Sequence, residues 1–445
     1  MRATRATLRR RFARQPVAFV ISGGGSQGSF ETGVIRYLTD ELRIRPRILC
    51  GISVGAIIAA HLAQGDDPEP GRRAVDELET IWRSLRTNED MWLPEPWLEK
   101  LRAQVTWAAE LRGRAAEHGT AGSQARVVLR MLGEVVRNPP QADGTVDALR
   151  QALRARSLLS NAPVRRLVET HIDPERVRRS GITLRIGAVS LETGELHYIT
   201  EAGELRDRAD RPLGRPPVAL RDAVLASAAI PGVFPPVAMG GEHYVDGGVR
   251  EILPLELAYR HLGAGHMFAI VASAPGVEPA PEIGERGLLD IARRVTADIG
   301  PDENLRKEID PPRGWGRRVT LIAPEFDVHD ALTIDPALIA ASIDYGWMRA
   351  ADTLLGLGPD ECALSREIAR CRVRLRFAEG PVAGFLGETL GAATRDEEAV
   401  VREQATLARL VDARRELGAP LPPGACEPPP ARPVPESGDD PRSDP

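Results

Sequence analysis

Gly51-Ile52-Ser53-Val54-Gly55 carries the pattern G-x-S-x-G between an apolar run, 48–52, and an alanine-rich stretch, 56–64. A serine hydroxyl is a poor nucleophile until three things are supplied. It needs an exposed position on a sharp turn, a neighbouring base, and donors for the oxyanion it creates. The turn is a steric problem, because side chains two residues either side of the serine would collide across it. Gly51 and Gly55 remove those side chains and form the nucleophile elbow. Ser53 then projects from the C-terminal edge of a sheet, at a helix N-terminus whose partial positive charge favours an oxyanion. The bland reading of the same five residues is an ordinary strand-to-helix turn.

A second glycine cluster, Gly23-Gly24-Gly25-Ser26-Gln27-Gly28, also lies between an apolar run and a helical pattern. Gly23, Gly25 and Gly28 satisfy G-x-G-x-x-G, the dinucleotide-binding arrangement. That site needs an acid at the end of the second strand, where this chain has Leu49, Cys50, Gly51 and Ile52. The other reading is an oxyanion hole formed by Gly24, Gly25, Ser26, Gln27 and Gly28 beside the elbow, and the missing acid favours it. For a base, the order acid-then-histidine of α/β-hydrolases leaves His261, His266 and His329 as candidates by position. None sits in a distinctive turn. Asp246 differs. It ends a short strand before Gly247 and Gly248, which let backbone pack against whatever the carboxylate faces. A strand-end carboxylate in a parallel sheet lies on the elbow's edge, which makes Asp246 a candidate direct base for Ser53 without a histidine, although D-G-G taken alone reads better as a tight turn.

The elements that must position these groups alternate. Apolar strands are expected at 16–22 and 48–52, each followed by a helix. A strand pair is expected at 182–190 and 196–200, a helix at 220–227, and a short strand ending at Val245. Two further units follow, a helix at 254–262 with a strand at 266–272 and a strand at 318–322 with a helix at 335–356. Strands alternating with helices imply a parallel sheet covered on both faces. Residues of about 74–157 break the alternation with arginine-rich amphipathic helices. Beyond about 360 the pattern is helical and polar, and from Ala419 it is proline-rich, which predicts a disordered tail.

With 445 residues, 42% hydrophobic and 27% charged, the chain can bury a large core. A net charge of -5 argues against nucleic acid as a partner. Cys50, Cys362, Cys371 and Cys426 form no CxxC pair and no zinc spacing, which fits a reduced, cytoplasmic compartment. No run is long and apolar enough to span a membrane. The arginine-rich residues 1–15 read either as a frayed terminus or as an electrostatic foothold on anionic lipid, making the protein peripheral to a membrane.

The glycine loop at 23–28, the elbow at 51–55 and Asp246-Gly247-Gly248 together resemble the patatin-like phospholipase family. So do Ala226–Val237 (A-S-A-A-I-P-G-V-F-P-P-V), Leu158–Pro163, and the stretch D-P-A-L-I-A-A-S-I-D-Y-G from Asp335. The resemblance covers residues 16–355. It implies a three-layer α/β/α sandwich with a mostly parallel central sheet; the helical insertion at about 74–157 and the helical extension at 356–418, read from the residue pattern, match no known family. It further implies a Ser53–Asp246 dyad, an oxyanion loop at 24–28, and hydrolysis of acyl esters in a lipid or phospholipid substrate. Gln27 departs from the family's usual Arg or Lys, which removes a positive charge near the oxyanion. An acyltransferase, with an alcohol replacing water in the second step, and a non-catalytic lipid- or partner-binding protein are the rival readings.

Met91–Leu98 places Trp92 and Trp97 in an apolar stretch interrupted by prolines, and Trp107 follows. Tryptophan suits a membrane interface, so these residues are expected as a lipid contact or a lid, with simple core packing as the alternative. No metal or organic cofactor is implied, because no EF-hand-like loop or dense carboxylate cluster accompanies the motifs. Turnover should therefore persist in a calcium chelator. Loss of turnover that calcium alone restores would overturn this.

Overall fold

The computed structural model describes residues 3–423 apart from 66–69, 99–154, 278, 282, 286–290, 292–293, 310–315 and 385–388. Most of the expected insertion, Trp107 and the tail beyond 423 lie outside the described residues.

Five parallel strands form the centre of the main sheet, in the order β11 (Val319–Ile322), β10 (His266–Ile270), β1 (Val17–Ile21), β2 (Ile48–Ile52) and β5 (Thr183–Ser190). β6 (Leu196–Thr200) and β7 (Leu205–Arg206) extend it antiparallel beyond β5. The alternation of side chains along β1 separates two cores. Phe19 and Ile21 join Leu49, Ile186 and Phe268 against the helices Gly28–Arg36, Val54–Leu62 and Pro336–Leu355. Ala18 and Val20 join Ile48, Cys50 and Met267 against Leu257, Ala258 and Leu305 on the opposite face. Both faces are covered, as the near-continuous apolar strands require. This is the three-layer α/β/α arrangement.

One expectation needs correction. Asp246 does not end a strand of the parallel set. β9 (Glu242–Asp246) runs antiparallel to β5, pairing Tyr244 with Ser190 and Asp246 with Ala188. It enters beyond the C-terminal end of β5 and stops as it reaches the elbow's edge. The carboxylate therefore arrives at that edge from the opposite direction.

The N-terminal segment is not frayed either. Arg5–Phe12 is a helix capped by Thr4, with Leu8 and Phe12 buried. Phe12 packs on His266 and Phe268, and Arg9 donates to the Glu41 carbonyl at 2.7 Å. Among the described residues, no helix is long and apolar enough to cross a membrane.

Helix Pro336–Leu355 lies across helix Gly28–Arg36 at a glycine crossing. A Cβ on Gly33 would stand 1.8 Å from the Ile343 carbonyl oxygen, and one on Gly346 would stand 2.0 Å from that of Phe30. Two helices beyond the sheet, Pro359–Ala378 and Glu397–Glu416, clamp this one through buried ion pairs: Arg372 with Asp344, Arg376 with Asp335 at 2.8 Å and Arg414 with Asp352 at 2.8 Å. The first residues of the proline-rich end belong to the fold, since Ala419 is buried and Arg414 donates to the Pro420 carbonyl.

Gly33→Ala or Gly346→Ala should force the helices apart and cost about 2–3 kcal/mol or more in denaturant unfolding. Gly284→Ala, where an added Cβ meets nothing within 4 Å, serves as the control and should change stability little. Equal effects at the crossing and the control would disprove the account.

Candidate active site

Ser53 adopts φ 57° and ψ −127° at the junction of β2 and helix Val54–Leu62. That conformation costs a residue with a side chain about 1–3 kcal/mol, so the surroundings must hold it. They do so through backbone contact. A Cβ on Gly51 would stand 2.2 Å from the Gly55 carbonyl oxygen, and one on Gly55 would stand 2.3 Å from that of Ser22. The Gly55 amide donates to the same Ser22 carbonyl at 3.1 Å. The Ser53 amide donates to the Ser227 hydroxyl at 3.0 Å, and that hydroxyl donates to the Gly187 carbonyl at 2.6 Å.

Asp246 is buried beside Ser53, whose hydroxyl favours the ionised carboxylate. It accepts from the Gly248 amide at 2.8 Å, and its own amide donates to the Ala229 carbonyl at 2.9 Å. Gly247 allows the approach, because a Cβ there would lie 2.5 Å from the Gly187 carbonyl oxygen. Burial raises the Asp246 carboxyl to about 6, against the lowering effect of the Ser53 hydroxyl and the Gly248 amide. The group thus has the pKa that a base working near neutrality would need.

The glycine loop passes beside Ser53, with Gly23 so near that a Cβ would stand 2.8 Å from the serine Cβ. Within it, the Ser26 amide donates to the Ala331 carbonyl at 2.8 Å, Gln27 to Gly24 at 3.2 Å, and Gly28 to Gly25. The amides of Gly24 and Gly25 donate to no described group. Gly25, at φ 58°, sits against the Ala331 carbonyl, which a Cβ would approach to 2.1 Å. The Gln27 side chain is buried and donates to the His329 carbonyl at 3.0 Å. Where a cation was expected, the chain has a neutral tie between the loop and residues 329–334.

The three candidate histidines do not serve Ser53. His261 is exposed. His266 lies between Phe12 and Phe268, with Nε2 3.0 Å from Thr320 Oγ1. His329 is buried beneath the glycine loop, 3.3 Å from both the Ser26 and Ser29 hydroxyls, and burial lowers its pKa. It props the loop from below.

An apolar cavity opens at Ser53, walled by Met91, Trp92, Ile230, Phe234 and Leu332. Trp92 is 5% exposed and its indole N–H donates to the Leu332 carbonyl at 3.2 Å. Trp97 is partly buried and donates to the Ser157 carbonyl at 3.2 Å. Both indoles have protein acceptors, and Trp92 forms part of the cavity wall. Leu158 and Leu159 pair their amides with the Gly232 and Val233 carbonyls, which joins two of the sequence motifs at this wall.

The model of the family described as patatin-like phospholipase matches residues 19–259. The chain belongs to the patatin-like phospholipase family. Its members form a class of lipid acyl hydrolases, and both Ser53 and Asp246 fall within the matched stretch. Among solved structures, VipD from Legionella pneumophila is 14% identical with a TM-score of 0.35, over 91% of this chain and 76% of that one. Human GIVD cytosolic phospholipase A2 is 13% identical with a TM-score of 0.29, over 63% of this chain and 50% of that one. ExoU of Pseudomonas aeruginosa, solved with SpcU, is 15% identical with a TM-score of 0.24, over 90% and 69%. The chain thus spans about half the length of the human enzyme. No curated protein matches it. Residues 329–334 and the C-terminal helices lie beyond the patatin-like stretch.

Ser227 was not foreseen as part of this site, and His329, weighed as a base, supports the glycine loop instead. Ser227 stands within the 226–237 motif, which was the available signal, whereas nothing local marks His329.

Since Asp246 must be ionised to accept a proton, kcat/KM on a neutral soluble ester should rise as pH increases through about 6 and then level off. A profile flat from pH 4.5 to 8 would contradict Asp246 as the base.

Proposed function

We propose that this patatin-like protein is a serine acyl hydrolase that cleaves lipid acyl esters through a Ser53–Asp246 dyad. The observation that carries the reading is the strained elbow at Ser53 with a buried carboxylate beside its hydroxyl, whose pKa desolvation raises to about 6. Asp246 takes the hydroxyl proton as Ser53 Oγ attacks the acyl carbonyl. The negative charge that develops on the carbonyl oxygen is held by the Gly24 and Gly25 amides, within the dipole of helix Val54–Leu62. The amides of Ser26, Gln27 and Gly28 are engaged with backbone carbonyls, so their part is to shape the loop. Collapse of the tetrahedral intermediate expels the alcohol, which takes the proton from Asp246. Water, deprotonated by Asp246, then attacks the acyl-enzyme and releases the fatty acid. Gln27 leaves the oxyanion to neutral donors, so this chemistry needs no cationic side chain in the loop.

A fluorophosphonate should label Ser53 alone, and Ser53→Ala should abolish labelling. Asp246→Asn should lower turnover at least about 10²-fold, while Ala at His261 or His266 should cost far less. On phospholipid vesicles, mass spectrometry should show free fatty acid and lysophospholipid. Labelling that persists in folded Ser53→Ala protein would refute the nucleophile, and acyl esters of an added alcohol as the main product would refute hydrolysis.

A further inference from the structure

The glycine loop leans on a segment far along the chain. Ser26 donates its amide to the Ala331 carbonyl at 2.8 Å and its hydroxyl to the Asp330 carbonyl at 2.9 Å, and the Gln27 side chain donates to the His329 carbonyl at 3.0 Å. The Gly24 and Gly25 amides belong to the same loop, so their aim follows the position of residues 329–331. What fixes those residues lies outside the patatin-like stretch, which ends at 259.

Two buried side chains fasten the end of this segment. Arg376, on helix Pro359–Ala378, donates to the Asp335 carboxylate through Nε at 2.9 Å, with Nη2 at 2.8 Å. The same guanidinium donates to the Gly380 carbonyl at 3.1 Å and the Pro381 carbonyl at 3.2 Å. Its planar fork thus joins segment 329–335 to the turn that follows its own helix. Asn88 makes the second tie. Its side-chain oxygen accepts from the Ile334 amide at 2.7 Å, and its side-chain nitrogen donates to the Gly384 carbonyl at 3.2 Å. The Asn88 carbonyl accepts from the Trp92 amide at 3.0 Å, so the cavity wall meets the same point. Docking of the C-terminal helices does not depend on these ties. Arg372 with Asp344 and Arg414 with Asp352 already hold helix Pro336–Leu355 to the extension further along.

We propose that Arg376 and Asn88 are positioning residues for the oxyanion. Through segment 329–335, the C-terminal extension sets the aim of the Gly24 and Gly25 amides. The proposal rests on the acyl-hydrolase reading. Donors to an oxyanion act by being aimed in advance, and a donor displaced by a fraction of an ångström loses that advantage in the transition state. Ground-state binding in the apolar cavity does not draw on it. Loosening either tie should therefore lower kcat and leave KM nearly unchanged.

The test compares p-nitrophenyl butyrate with its thiono analogue on the full chain. Sulfur accepts hydrogen bonds weakly, so the thiono rate depends little on the amides, and the oxo-to-thiono ratio of kcat reports their aim. Arg376→Gln and Asn88→Ala should each lower that ratio about tenfold, with KM for the butyrate within about twofold, which is part of the roughly 10²–10³-fold cost of losing one donor outright. Arg376→Lys keeps a charge beside Asp335 without the fork and should fall between. Arg414→Gln breaks an equally buried pair, so it should lower the melting temperature but leave the ratio unchanged. A constant ratio in folded Arg376→Gln, or an equal fall in Arg414→Gln, would overturn the proposal. If Arg376→Gln does not fold, Asn88→Ala, which strands no buried charge, decides by the same two criteria. If the unmodified chain cleaves no ester, the hydrolase reading fails, and amide hydrogen exchange then judges the positioning. The Ser26 amide should exchange about tenfold faster in Arg376→Gln than in Arg414→Gln, and equal rates overturn it.

Discussion

At the ends of β1, β2 and β5 the backbones approach so closely that only hydrogen fits at Gly23, Gly51, Gly55 and Gly187. A Cβ on Gly187 would lie 2.4 Å from Ile52 Cδ1, and the other three would strike backbone or Ser53 itself. This contact holds Ser53 at a positive φ that the residue would not keep alone. It also sets the remaining geometry. The Ser22 carbonyl fixes Gly55, Ser227 spans from Gly187 to the Ser53 amide, and Asp246 reaches the hydroxyl over Gly247. Ser53, Asp246 and the glycine loop are therefore placed by main-chain packing, and the side chains have little freedom left to lose.

Electrostatics follow from the same closeness. Among the described residues no arginine or lysine offsets the burial of Asp246, which desolvation dominates, so the carboxyl lies above its ordinary range. A paired carboxylate would be a weaker base. Gln27 continues this pattern, because it secures the loop with a neutral amide where a cation would have added charge. The site works with dipoles and one titratable group.

The parts legible in the sequence are those with local periodicity. The strands expected at 16–22, 48–52, 182–190, 196–200 and 318–322 correspond to β1, β2, β5, β6 and β11, and the helix expected at 335–356 is Pro336–Leu355. The elbow was legible because it needs two glycines at fixed offsets. The direction of β9 was not, since a five-residue strand reads the same either way. The helix expected at 254–262 becomes a short one with wide final turns over Leu257–His261. Docking of the N-terminal helix was missed because only Leu8 and Phe12, four residues apart among arginines, signal it. The structural parts of Ser227 and residues 329–334 depend on partners far away in the chain, and no short-range pattern encodes those.

Residues 329–334 carry one more consequence. They hold the glycine loop through Ala331, His329 and the Asp330 carbonyl, which accepts from the Ser26 hydroxyl 304 positions earlier at 2.9 Å. Asp335, which follows them, is fixed in turn by Arg376. Serine, base and glycine loop have all left the ribosome well before these supports are made. The nascent chain thus carries the elbow without its propped loop until residues 329–334 have been made, and closure of the longest sequence separation comes last. Order of translation by itself keeps the site incomplete through the synthesis of all the strands before them.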